Sequence, residues 1–461
     1  MNVILLISDT VRHDYCGCYG ADWVRTPNID ALARESTLME NFFTASFPTG
    51  PMRKDTYSGR FTFPYCSWQT PRGKEEILLH DVLRDAGVKT AFIGDATNSA
   101  QFRDGFDEIQ LIPALASNIK DVPESVPEPA APEKLRGGGT PRMQRIMRNY
   151  LGFDGEADRR APRTMRAAHH WLEDQHGSER PFFLWVDTFD PHEPYDCPRY
   201  YIDLYDKGYK GDELIEPTYA PSDYATGAEI QHMRKMYAAK LTMVDRWIGH
   251  FLDGVRNMGR LEDTAVIFTS DHGFYHGEHG LIGKLLLEPE RERWPLYDTI
   301  AHPPLLIRPP GAPRPARRDG FCQPPDLMPT ILDFFGLAAP DRVQGKSLLP
   351  IVHGDVGSVR DFAVSSTTYV TDETVRSPTC FRTKEYLYVY GGDEWDHELF
   401  DLRADPEEAK NIFSERTDVA AEMHKRYVEF LESVDCPKAF LELRREFNAP
   451  RRAVAPGGRV I

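Results

Sequence analysis

With 461 residues, 41% hydrophobic and 27% charged, the chain is long enough to bury one large core with a smaller domain beside it. A formal charge of −16 and a pI of about 5.4 argue against a nucleic-acid partner, although a locally cationic pocket can still draw in an anionic ligand. No apolar run approaches the ~18 residues needed to span a bilayer, which argues against a membrane partner.

The opening MNVILLISDT predicts a buried strand over 3–7 rather than a signal peptide, with Asp9 and Thr10 at its carboxyl end. Seven scattered cysteines without zinc-type spacing read as reduced thiols, and together these features place the protein in the cytoplasm. Pro27 opens a helix, and another through Leu78 and Leu83 stops at Gly87. Lys89 to Gly94 predicts a strand delivering Asp95, Thr97 and Asn98. From 112 to 163 the pattern dissolves into proline, glycine and arginine, including Arg142, Arg145 and Arg148. This insertion reads either as a mobile surface segment or as a lid or homo-oligomer contact that brings cations to a pocket.

Order returns with a helix near Met165 to Trp171 and a strand from Phe182, after which come Asp187, Asp190 and His192. A helix from about Glu229 to Val255 precedes Thr264 to Thr269, whose β-branched and aromatic residues predict a buried parallel strand ending at Asp271 and His272. Leu305 to Ile307 and a helix around 326–335 follow. Beyond a boundary near 355, alternation over 362–365 and 386–390 predicts antiparallel strands, with a closing helix over 418–431. The domains expected are 1–355, then a C-terminal α+β subdomain over 356–447, then a disordered tail over 448–461. Strands alternating with helices give an α/β class with a mostly parallel central sheet between helices.

Four strand ends thus bring acidic and imidazole side chains to one edge of one sheet, where such folds bind ligands. Two carboxylates and an imidazole form a competent partial shell for a divalent cation, and the histidine favours manganese or zinc over calcium or magnesium. A binuclear centre would need more ligands, and the sequence offers only Asp190-x-His192.

The segment Thr49-Gly-Pro51-Met-Arg53, followed by Ser58-Gly59-Arg60, resembles the nucleophile motif of the sulfatase branch of the alkaline phosphatase superfamily. A frame starting at Ser46 would lack the arginine. The resemblance extends through DTVRHDYCGCYG at Asp9, LRDAGVKTAFIG, SDHGFYHGEHGLIGK and PPLLIRPPG to DLMPTILDFFGL, GKSLLP and ELFDLRADPEEAKNI, in family order. It implies an alkaline phosphatase-like fold. It also implies departures: family members mature a cysteine or serine to formylglycine, whereas this chain has Thr49 there, and Asp271-His272 stands where Asp-Asn is usual.

The remaining set of Asp9, Thr49, Asp271 and His272 is similar to the one-metal shell of phosphoethanolamine and phosphoglycerol transferases. By that resemblance Thr49 is nucleophile and ligand, and Arg53 holds Thr49 in place. Lys284, His192 and Asn98 bind the substrate's oxygens, and His279 protonates the leaving oxygen. His276 is expected in a turn, and His302 in a structural role. The expected activity is hydrolysis of a small anionic phosphodiester or phosphonate monoester, with a sulfatase acting without formylglycine, or a non-catalytic anion binder, as the alternatives.

Overall fold

The computed structural model describes residues 1–67, 70, 72–73, 76–95, 103–113, 131–138, 141, 143–144, 146, 148, 153, 155–285, 292–311, 315–370, 376–448, 454–455 and 459–460. Its first strand, β1 (Asn2–Ser8), is buried along its whole length. Val3, Leu5 and Ile7 join one apolar cluster while Ile4 and Leu6 join another, as period-two alternation requires of a strand covered on both faces.

The strands that follow are β2 (Thr37–Phe42), β3 (Ser46–Phe47), β4 (Lys89–Gly94), β5 (Glu108–Leu111), β6 (Phe182–Thr188), β7 (Ala220–Pro221), β8 (Thr264–Thr269), β9 (Tyr275–His276), β10 (Leu281–Gly283), β11 (Leu305–Arg308) and β12 (Ala316–Cys322). The eight-stranded main sheet has the order β12-β2-β11-β8-β1-β6-β4-β5. All of its pairings are parallel except the two made by β11, which runs against both β8 and β2. β11 therefore begins at the edge where its neighbours β8 and β2 end.

The helices used below are α1 (Pro27–Ala33), α2 (Thr49–Ser58), α3 (Leu79–Asp85), α4 (Arg160–Asp174), α5 (Arg199–Asp206), α6 (Gly227–Asn257), α7 (Leu327–Phe334) and α8 (Thr417–Ser433). One face of the sheet is covered by α1, α4 and α6 through residues such as Met165, Met236 and Ile248, the other by α2, α3 and α7 through Met52, Leu83 and Ile331.

A second, five-stranded sheet contains β13 (Ala363–Thr367), β14 (Thr379–Arg382), β15 (Tyr386–Tyr390) and β16 (Glu398–Asp401), all antiparallel, with α8 packed on it. Its fifth strand is β3, which pairs parallel with β13, Ser46 beside Ser366 and Phe47 beside Thr367. The sheet formed by the last third of the chain therefore includes the residues that lead directly into α2. Within 448–461, Val454–Ala455 and Arg459–Val460 pair as a short antiparallel ladder, and the rest beyond Asn448 lies outside the described residues.

Candidate active site

β1 lies between β6 and β8 in register, Ile7 facing both Asp187 and Thr269. Neighbouring strands sit about 4.8 Å apart, so side chains at or just past their carboxyl ends converge. Asp9, Asp187 and Asp271 meet there, each fully buried. Like charges at this spacing need a cation, and α2 supplies one. Thr49 and Arg53 are four residues apart and share a helix face. The Arg53 guanidinium donates to both oxygens of Asp187 at 2.7 Å, to Asp271 Oδ2 at 2.8 Å and to Asp9 Oδ2 at 3.3 Å. It also donates to the Thr49 carbonyl at 3.0 Å, which ties the first turn of α2 to the carboxylates.

His272 donates Nδ1–H to the Gly273 carbonyl at 2.8 Å, so Nε2 carries the lone pair. That atom lies 3.3 Å from Thr49 Oγ1 and 3.5 Å from Asp271 Oδ2. Burial holds the imidazole pKa down at about 3, which keeps it neutral. Burial, reinforced by Asp271, raises the Asp9 carboxyl well above the usual range. Burial also opposes ionisation of Asp271, but His272 and Arg53 outweigh it and hold that carboxyl well below the usual range. Ligand atoms of Asp9, Asp271 and His272 lie within 4.8 Å of one another. Two buried carboxylates in conflict over ionisation, with a bare imidazole nitrogen aimed between them and the Thr49 hydroxyl, fit one divalent ion with mixed oxygen and nitrogen donors.

Thr10 organises the next layer, a role its sequence position beside Asp9 does not announce. Its backbone is left-handed at φ 65°, a conformation rare for threonine. Held so, its N–H donates to Asp271 Oδ1 at 2.9 Å and its hydroxyl to Asp9 Oδ1 at 2.6 Å, while that hydroxyl accepts from Lys284 Nζ at 3.2 Å. Lys284 follows Gly283, whose φ of 114° and closeness to the Tyr219 ring, 2.6 Å from where a Cβ would sit, require glycine. Burial lowers the Lys284 pKa, opposed by Asp9, Glu193 and Asp271.

Glu193 is a second residue that sequence reasoning missed. It is buried beside His192, accepts from Arg136 at 2.9 Å and from the Tyr219 hydroxyl, and is held well below the usual range because His192, Lys284 and Arg136 outweigh its burial. Arg136, one of the residues over 112–163, thus pairs with Glu193. Arg142 and Arg145 lie outside the described residues, as does Asn98. His192 stacks on Phe189 at 3.9 Å and donates Nδ1–H to the Glu193 carbonyl at 2.7 Å, which leaves Nε2 as an acceptor.

Other expected roles change. His279 occupies the exposed tip between β9 and β10, stacked on Tyr297 at 3.9 Å, at the end of the hairpin away from Lys284. A glycine-flanked turn at 277–280 carries it there, so it does not join the carboxylate cluster as an acid. His276 is no turn residue: it is buried in β9 between Arg12 and the Tyr195 hydroxyl, at 3.2 and 2.8 Å. Asp190 is taken up by Lys240 at 2.8 Å and the Ala161 N–H at 3.1 Å, and Asp95 by Thr164, Thr188 and the Phe189 N–H, so neither is free to complete a second metal shell. A different set does converge, however: His13, Asp298 and His302.

The model of the family named Sulfatase matches residues 1–337 of the chain. The chain belongs to the sulfatase family. A second model, for the C-terminal part of N-sulphoglucosamine sulphohydrolase, matches residues 277–433. The arylsulfatase of Clostridium perfringens is 24% identical over 94% of this chain and 93% of its own. The multifunctional alkaline phosphatase superfamily protein PehA of Trinickia caryophylli is 26% identical over 76% of this chain and 77% of its own. The crystal structure of the phosphonate monoester hydrolase of Agrobacterium radiobacter superposes with a TM-score of 0.74 at 20% identity, covering 94% of this chain and 95% of that one. This sulfatase-family member is thus a hydrolase of ester bonds with the alkaline phosphatase-like fold. Among the described residues no helix is long and apolar enough to cross a membrane.

Proposed function

We propose that this sulfatase-family protein cleaves a phosphodiester or a phosphonate monoester, using one divalent ion held by Asp9, Thr49, Asp271 and His272 and a covalent intermediate on Thr49. The observation that carries the reading is the Thr49 hydroxyl at the start of α2, 3.3 Å from His272 Nε2, the same nitrogen that lies 3.5 Å from the buried Asp271 carboxylate. Manganese or zinc suits the imidazole donor better than calcium or magnesium. When bound, the ion lowers the Thr49 hydroxyl pKa and polarises a nonbridging oxygen of the substrate.

The chain's own residues account for the rest. Thr49 Oγ forms a bond to phosphorus as the bond to the alcohol breaks, and water then attacks phosphorus and returns Thr49 as the alcohol. Protonated Lys284 meets the charge on the equatorial oxygens. His192 Nε2, left free by the bond Nδ1 makes, contacts the substrate. Arg53 fixes Asp9 and Asp271, and so keeps Thr49 aligned. Residues 1–355 supply this chemistry; 356–447 form a subdomain that buttresses α2 through β3. The seven unpaired cysteines agree with a reducing, cytoplasmic setting.

The rival reading is a sulfate-ester hydrolase, favoured by the arylsulfatase and sulphohydrolase likenesses. A threonine cannot form the hydrated aldehyde by which formylglycine sheds sulfate, whereas a threonine ester of phosphorus is released by water attack at phosphorus. A panel of aryl phosphodiester, aryl phosphonate monoester and aryl sulfate separates the two. A kcat/KM for either phosphoryl substrate above that for the sulfate is expected, and sulfate turnover exceeding both would overturn the proposal.

A further inference from the structure

The loop after β1 and the segment before β11 meet at the same edge of the main sheet but build a cluster of their own. His13 donates Nδ1–H to the His302 carbonyl at 2.8 Å, so its Nε2 carries a lone pair. His302 donates Nε2–H to the Glu40 carbonyl at 2.8 Å, so in the neutral ring its Nδ1 does too. Both bare nitrogens turn toward the same carboxylate. His302 Nδ1 lies 3.1 and 3.3 Å from the two oxygens of Asp298, and His13 Nε2 lies 3.8 Å from Asp298 Oδ2. The three ligand atoms are within 4.8 Å of one another.

Acceptors brought together in this way repel unless something positive lies among them. Arg382 approaches Asp298 Oδ1 only at 3.7 Å and from the C-terminal subdomain, where it pairs with Glu408. It cannot serve the imidazole lone pairs. A proton on one ring would satisfy one contact and leave the other nitrogen facing a carboxylate. A divalent ion satisfies all three. Each imidazole already donates its other ring nitrogen to a backbone carbonyl, the arrangement that orients histidine ligands and fixes their tautomer.

The rings are also set mechanically. Their centroids lie 3.8 Å apart with the planes tilted by 30°, and His302 stacks on Phe43 at 4.3 Å. Side-chain exposures of 18% for His13, 32% for Asp298 and 9% for His302 leave the cluster partly open to solvent, which would supply a water as fourth ligand.

We propose that His13, Asp298 and His302 bind a zinc-class divalent ion at a second site, distinct from the one formed by Asp9, Asp271 and His272. Two imidazoles, one carboxylate and a water make a tetrahedral set suited to zinc. Burial holds the His13 pKa down at about 4, so its lone pair is available at neutral pH. The ion would cross-link the β1 loop to the segment before β11, which the Tyr19 hydroxyl already joins through the Leu305 carbonyl and N–H at 3.2 and 2.9 Å. This site does not depend on the reaction assigned to Thr49.

The test counts zinc. The full-length protein is stripped with a chelator, reloaded with Zn2+ alone, desalted and analysed for metal per chain, alongside Asp271→Asn, His13→Gln and His302→Gln. Two equivalents are expected for the wild type and one for each variant, and the double variant Asp271→Asn/His13→Gln should hold none. His13 is partly exposed, so His13→Gln keeps the count interpretable should His302→Gln fail to fold. A folded His13→Gln protein that holds as much zinc as the wild type would overturn the second site. So would a wild type whose only zinc is lost with Asp271→Asn.

Discussion

Arg53 grips Asp187 with two parallel bonds of 2.7 Å, both side chains fully buried. Asp187 acts on Thr49 through Arg53: it sets the plane of the guanidinium that reaches Asp271, Asp9 and the Thr49 carbonyl. Removing one partner of such a pair leaves a buried charge without its counterion. Asp187→Asn should therefore destabilise the fold by about 3–5 kcal/mol, measured by urea denaturation. Arg53→Lys should lose most of the activity despite keeping the charge, because a single ammonium cannot span three carboxylates.

Lys284 gives the site a pH signature. Burial lowers its pKa below the ordinary 10.5, and in the proposed reaction the protonated form meets the substrate's oxygens. Activity should accordingly fall on the alkaline side as pH rises through that lowered value, in a limb below 10.5. Glu193 is one of the charges that hold the proton on, so Glu193→Gln should move the limb to lower pH. Lys284→Arg, whose guanidinium does not titrate there, should abolish the limb. A kcat/KM profile measures all three.

The link between the second sheet and α2 predicts that the subdomain is indispensable. Cutting the chain after residue 355 leaves β3 without β13 and strips Leu387, Val389 and Phe400 from the cluster that also contains Phe47 and Tyr275. The shortened chain should be insoluble or bind a hydrophobic dye on expression. The full chain should unfold in one cooperative transition by circular dichroism and by tryptophan fluorescence.

How far the sequence went follows from where each residue's partners lie. The strand at Thr264 to Thr269 and the long helix before it are legible because their patterns are local, and adjacency of parallel strands then brings Asp9 and Asp271 together. The antiparallel course of β11 is not legible, since Leu305 to Ile307 is apolar whichever way it runs. Glu193 and Arg136 look like ordinary surface charges until the fold joins a loop at 136 to one 57 residues away. His279 misleads because a histidine among glycines reads equally well as a pocket group and a hairpin tip. The His13, Asp298 and His302 cluster was missed because its members are separated by up to 289 residues, with only the pair at 298 and 302 showing ligand spacing.

The proposed reaction stands on Thr49 as the nucleophile. Thr49→Ala should bind the active-site ion through Asp9, Asp271 and His272 yet lose activity by a factor on the order of 10⁴ or more, while Thr49→Ser should retain a measurable part of it. The most direct measurement is intact-protein and peptide mass spectrometry after rapid acid quench with an aryl phenylphosphonate substrate. A phenylphosphonyl adduct on Thr49 is expected in the wild type and none in Thr49→Ala. An adduct on another residue, or full turnover by Thr49→Ala, would contradict it.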